Sequence, residues 1–175
     1  MKKILGLVVS LTVISGVCAA VLAYVNEITA DPIREVAEKN EKAAVRKVMP
    51  ANVSTIEAKE GGVFVGKDDN GAVAGYAAKG TSGEGYGGDI ELMVGFEKDA
   101  KTLVCYETLL ATETPGLGMK LNSPDFKGQF GGKDGASLKV VKDGGAIEAI
   151  TSATITSRAV CKAIEAAQGK VASVK

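Results

Sequence analysis

Ile4 to Val25 is a run of 22 residues without a charge. At about 1.5 Å per residue, a helix of that length reaches ~33 Å, enough to cross the hydrocarbon core of a bilayer. The run is expected to be a transmembrane helix. A cleaved signal peptide competes with that reading, because Lys2 and Lys3 would serve as its basic region. The apolar run exceeds what such a peptide needs, however, and lacks a clean A-x-A cleavage site. Val17, where a lipoprotein signal wants a small residue, also argues against lipid attachment at Cys18.

Charge sets the orientation. Lys2 and Lys3 precede the span, whereas Asn26, Glu27 and Asp31 follow it. The positive-inside rule then leaves the N-terminus in the cytoplasm and residues 26–175 outside, as a single-pass protein of the cell membrane. Lys2 and Lys3 aside, 19 basic residues face 21 acidic ones, with no basic patch to suggest nucleic acid. There is no histidine and no cluster of cysteines, which argues against a conventional zinc or haem site. Redox chemistry here would need an organic cofactor. Cys105 and Cys161 fall in apolar segments; they read either as small buried hydrophobes or as a disulfide pair in an oxidising compartment.

Three segments are expected: the anchor 1–25, a juxtamembrane helix within 26–50, and one domain over 51–175. Asp31-Pro32 reads as an N-cap followed by proline at the first helical position, and Met49-Pro50 as the stop. Beyond Val53 the pattern turns to strands broken by glycine. Residues 62–67, 72–78, 90–96 and 102–110 have strand length and composition, with hairpin turns at Asp69-Asn70-Gly71 and Lys98 to Lys101. Ser137 to Val141 is expected as the last strand. Thr156 to Val171 carries Ala159, Val160, Ala163, Ile164 and Ala167 at helical spacing. The fold class expected is α+β, a mainly antiparallel sheet with flanking helices.

The chemistry-bearing feature is Ile150-Thr151-Ser152-Ala153-Thr154-Ile155-Thr156-Ser157, a run of small hydroxyl residues just before that helix. Serine and threonine are ordinary N-cap residues. A helix N-terminus also offers unpaired N–H groups and partial positive charge to a phosphate. Thr151-Ser152-Ala153-Thr154 resembles the Ser/Thr-Gly-Ala-Thr flavinylation motif of the G subunit of the Rnf electron transport complex and its relative NqrC. Ser152 replaces the motif's glycine and stays small enough for a modifying enzyme to approach the backbone. Glu148 keeps the charge of an aspartate common at that place. Three more segments resemble the family in the same order: Gly85-Tyr86-Gly87-Gly88 with Asp89-Ile90, Glu113-Thr114-Pro115-Gly116-Leu117-Gly118, and Phe126 to Phe130.

The resemblance implies FMN joined by a phosphoester bond to Thr154, with Thr151, Ser152, Ala153, Ile155, Thr156 and Ser157 around the phosphate. It implies that Glu113, Thr114, Gly116, Leu117 and Gly118 line the flavin ring, and that the glycine-rich loop packs beside it, with no role assigned to Tyr86. Glu113 reads either as an acceptor at the flavin edge or as a partner for a nearby backbone N–H. The implied function is an electron-relay subunit of an ion-translocating ferredoxin:NAD oxidoreductase, with no substrate pocket of its own. Its partners would be the other membrane subunits, a flavin transferase during maturation, and the bilayer through residues 4–25. An NqrC-like subunit of a sodium-pumping quinone reductase, a stand-alone tethered flavoprotein and a cofactor-free adhesive or sensory module are the alternatives.

Overall fold

The computed structural model describes residues 2–174. The chain divides into two compact units, the second beginning at Asn40. Helix α1, Lys2–Val48, opens the chain and reaches from the first unit into the second. Its N-terminal apolar side chains are exposed, and among the described residues it is the one helix long and apolar enough to cross a membrane. The expected helix start at Asp31-Pro32 is not realised, because Pro32 lies inside α1. Proline in a helix interior removes one hydrogen bond and crowds the preceding turn, at roughly 3 kcal/mol. The residues on both sides are otherwise competent helix formers, so the element continues through that cost. Asp31 pairs with Arg34 at 3.2 Å instead of capping. The stop before Pro50 is realised, with α1 ending at Val48.

In the second unit, strands β1 (Thr55–Lys59), β2 (Val63–Lys67), β3 (Val73–Ser82), β4 (Ile90–Glu97) and β5 (Leu103–Ala111) form one sheet. They pair in chain order and antiparallel throughout. Alternation along the strands gives the sheet two apolar faces. Val65, Tyr76, Ala78, Leu92, Val94 and Tyr106 point to one face, where helix α3, Thr154–Val174, covers them with Ala159, Val160, Ala163, Ile164, Ala167 and Val171. Ala77 and Met93 point to the other, against Ala44, Val45, Val48 and Met49. Full burial of each Val, Ile or Leu contributes about 1.5–3 kcal/mol, so both clusters are needed to hold a sheet of this size. Cys161 belongs to the first cluster and Cys105 packs against the second; both thiols are free and the sheet separates them.

The expected last strand at Ser137 to Val141 is corrected. Its alternation is real, since Leu138 and Val140 are buried and Lys139 is exposed. The residues preceding it already occupy the start of β5: Gly132 N–H donates to the Leu103 carbonyl at 2.8 Å, Leu103 N–H to Lys133 at 2.9 Å, and Gly135 N–H to Lys101 at 3.1 Å. Leu138 and Val140 therefore tuck into the core between two short 3-10 turns, Gly135–Ser137 and Val141–Asp143, with an isolated bridge from Val140 to Ile147. The strand β1 was not separately expected. Turns and strands at 62–110 fall where the sequence places them.

Candidate functional site

Register brings the site together. Ser82 pairs with Ile90 and Ile90 with Ala111, so the loops leaving β3 and β5 emerge at the same end of the sheet. The start of α3 closes that end. A cleft of about 560 Å³ lies between them, lined by Tyr86, Glu113, Thr114, Leu117, Gly118 and residues 152–156. Thr151 and Gly116 do not contribute to its wall.

Glu113 is the hub. Its side chain is 6% exposed. Oε1 accepts the Tyr86 N–H at 2.8 Å and the Gly87 N–H at 3.5 Å, while Oε2 accepts the Thr156 hydroxyl at 3.0 Å. Of the two roles open to it from sequence, the structure gives it the backbone partner. Two glycines make the arrangement feasible: a Cβ on Gly118 would lie 2.3 Å from Glu113 Oε2, and one on Gly87 would lie 1.9 Å from the Thr112 carbonyl oxygen. Thr112 Oγ1 donates to the Gly87 carbonyl at 2.8 Å, and Lys162 of α3 pairs with Glu84 in the same loop.

The hydroxyl run separates by role. Ser157 Oγ accepts the Ile150 N–H and donates to the Ala153 carbonyl, both at 2.9 Å, in a fully buried position. Thr156 is committed to Glu113. Thr154 is half-buried in the cleft wall, and its Oγ1 receives Lys142 Nζ at 3.4 Å, long for a hydrogen bond. The Ser157 N–H makes a helical bond to Ala153 at 3.0 Å, so the N–H groups of Thr154, Ile155 and Thr156 precede the ladder of α3 and have no helical acceptor. Ser152 sits at φ 63°, in the left-handed region. That explains the glycine of the resembling motif as a backbone requirement rather than one of access.

Around the opening, Tyr86, Leu117 and Ile155 are 73%, 42% and 49% exposed, three large apolar groups in the lining of the cleft. Phe126 and Phe130 do not line the cleft; they are buried in the core. They stack edge to face at 5.3 Å, Phe130 meets Tyr106 at 5.3 Å, and the Tyr106 hydroxyl donates to the Leu121 carbonyl at 2.5 Å. Gln129 between them exchanges two hydrogen bonds with the Glu148 backbone, at 2.7 and 3.2 Å. Sequence reasoning gave Tyr86 no catalytic role and did not single out Lys142. A glycine-flanked tyrosine in a loop and a lysine in an exposed turn carry no periodic signal.

Residues 85–168 match the family described as FMN-binding domain, a stretch that holds every residue of the cleft wall. The G subunit of the ion-translocating oxidoreductase complex of Methanosarcina acetivorans is 32% identical over 95% of this chain and 93% of its own length. The chain belongs to the G-subunit family of ion-translocating oxidoreductase complexes. A second G subunit, from the Na(+)-translocating ferredoxin:NAD(+) oxidoreductase complex of Acetobacterium woodii, is 33% identical, covering 91% of this chain and 86% of its own. Among solved structures, NqrC of Shewanella oneidensis matches with a TM-score of 0.52 over 74% of each chain at 22% identity, a likeness of fold. The long apolar helix α1 and this G-subunit membership together support membrane association.

The residues present fit FMN. The cleft volume lies within the ~300–1,000 Å³ of small-ligand sites. Its inner wall offers a hydroxyl and three unladdered N–H groups for a phosphate, and the Lys142 ammonium reaches that hydroxyl from outside the lining. Its rim offers apolar surface for a flat ring.

Proposed function

We propose that this G subunit carries FMN esterified to Thr154 and relays electrons between redox centres of an Rnf-type membrane complex. One observation carries the attachment point. Of the three hydroxyls on the first turn of α3, those of Thr156 and Ser157 already donate to Glu113 and to the Ala153 carbonyl, whereas Thr154 presents its own in the cleft wall.

Bound there, FMN would supply the one-electron chemistry and the protein its position and surroundings. The N–H groups of Thr154, Ile155 and Thr156 would receive phosphate oxygens; Leu117, Ile155 and Tyr86 would lie against the ring, with Thr114 and Gly118 closing the wall. Glu113 acts through others, holding the Tyr86 loop and the first turn of α3 in register. Forming the ester requires an activated flavin phosphoanhydride and a flavin transferase. Thr154 Oγ1 would bond to the flavin-side phosphorus as the anhydride bond breaks, the other phosphate half leaving with the bonding electron pair and the hydroxyl proton passing to a base on the transferase. Tethering would keep the cofactor at high effective concentration outside the cytoplasm, the side on which the positive-inside rule predicts this domain.

The names of the relatives favour a multi-subunit ferredoxin:NAD oxidoreductase over a stand-alone flavoprotein. The test is the intact mass of full-length protein made with a flavin transferase. One FMN adduct is expected, absent in Thr154→Val; an adduct that survives the substitution overturns the attachment site. Co-purification of further membrane subunits supports the relay, and redox turnover by the isolated chain contradicts it.

A further inference from the structure

We propose that Lys142 is the cation that holds the cofactor phosphate, an inference resting on Thr154 as the attachment point. The turn Val141–Asp143 lies across the first turns of α3 and touches it twice: Lys142 Nζ reaches Thr154 Oγ1 at 3.4 Å, and Asp143 takes Arg158 through Nε at 2.6 Å and Nη2 at 2.7 Å. Thr154 and Arg158 are four apart and share one face of the helix. The turn is held in place. Val141 N–H donates to Ile147 at 2.9 Å, Ile147 N–H to Lys139 at 3.1 Å, and Asp143 N–H to Val140 at 2.8 Å, over the buried side chains of Val140 and Ile147.

Charge accounting separates the two cations. The Arg158 guanidinium is matched by a bidentate carboxylate. Lys142 forms no salt bridge among the described residues, and its hydrogen bond goes to the neutral Thr154 hydroxyl. A phosphodiester built on that oxygen puts a negative charge where the ammonium already points. The N–H groups at the start of α3 are neutral donors, whereas Lys142 brings a full charge to the Thr154 oxygen. An ammonium on a flexible stem suits this as a point charge, and a charge-assisted bond is about twice as strong as a neutral one.

The experiment uses the full chain, flavinylated by a flavin transferase in detergent micelles, as wild type, Lys142→Gln and Lys142→Arg. Intact mass counts the adduct, phosphorus NMR reads the phosphodiester, and thermal melting reads the stability gained on flavinylation. Lys142→Gln is expected to displace the phosphorus resonance and reduce the melting gain, and Lys142→Arg to keep both near wild type. If Lys142→Gln takes no adduct while Lys142→Arg does, the charge is needed already at attachment, which also supports the assignment. A flavinylated Lys142→Gln with the wild-type resonance and melting gain overturns it and leaves the flavin reading standing. A wild type with no adduct and no phosphodiester signal overturns both.

Discussion

Glu113 and Thr156, 43 residues apart in the chain, meet at 3.0 Å through a buried carboxylate and a hydroxyl. The second carboxylate oxygen takes two N–H groups of the glycine-rich loop, so one side chain joins three separate segments of the family pattern. Glu113→Ala would leave the buried Thr156 hydroxyl and the closer backbone donor, the Tyr86 N–H, unpaired, at about 1–3 kcal/mol for each orphan. The expected outcome in chemical denaturation is a loss of about 2–6 kcal/mol. Glu113→Gln keeps an acceptor on one side only and should lose less. Equal losses for the two variants would show that volume, not hydrogen bonding, sets the role.

Ser152 holds a left-handed backbone at φ 63° with an ordinary Cβ. That conformation costs an L-residue roughly 1–2 kcal/mol, part of which glycine returns as extra freedom of the unfolded chain. Ser152→Gly is therefore expected to raise stability by about 0.5–1 kcal/mol, seen as a higher melting temperature, with flavinylation at Thr154 unchanged. Ser152→Val, β-branched at the same φ, should destabilise.

Periodicity made most of this fold legible. The strands at 62–110 and the last helix follow alternation and 3.6-residue spacing, both set by the residues themselves. Ser137 to Val141 shows the limit: Leu138 and Val140 alternate like a strand because both face the core, yet a strand also needs a partner edge, and residues 132–135 had taken the start of β5. Pro32 shows another, since a good local start signal was outweighed by helix-forming neighbours on both sides. In the site, the order of the four motifs was readable, but the partner of Glu113 was not. Its donors lie 26, 27 and 43 residues away and are fixed only by sheet register.

The thiols offer an independent check on which face of the sheet each element covers. Cys161 is 3% exposed, and burial first, with Glu165 nearby, pushes its thiol up to about 12. Burial also raises Cys105. Only the thiolate alkylates readily. At neutral pH Cys161 is expected to resist maleimide until the protein unfolds, and non-reducing peptide maps should show Cys105 and Cys161 both free. A bridged peptide would contradict their placement on opposite faces.

Glu107 gives the acid dependence. Its carboxylate takes Lys47 at 3.2 Å through Oε1 and Lys127 at 2.5 Å through Oε2, joining the end of α1 and the helical turn at Pro124–Lys127 to β5. Burial acts to raise its pKa, but the two ammonium groups together outweigh that and hold it below the ordinary carboxylate range. A folded value below the unfolded one means the protein binds this proton less readily when folded. The stabilisation is complete above the unfolded value, about 4.3, and drains away as pH falls through the lower folded value. Because Lys47 is mostly exposed and screened, the contribution at neutral pH should be about 0.5–1 kcal/mol. Glu107→Gln is therefore expected to lose that amount at pH 7 and to approach wild type as the carboxylate protonates at acid pH. Denaturation of both proteins from neutral into acid pH checks it; a gap that does not narrow as pH falls would assign the loss to packing instead of charge.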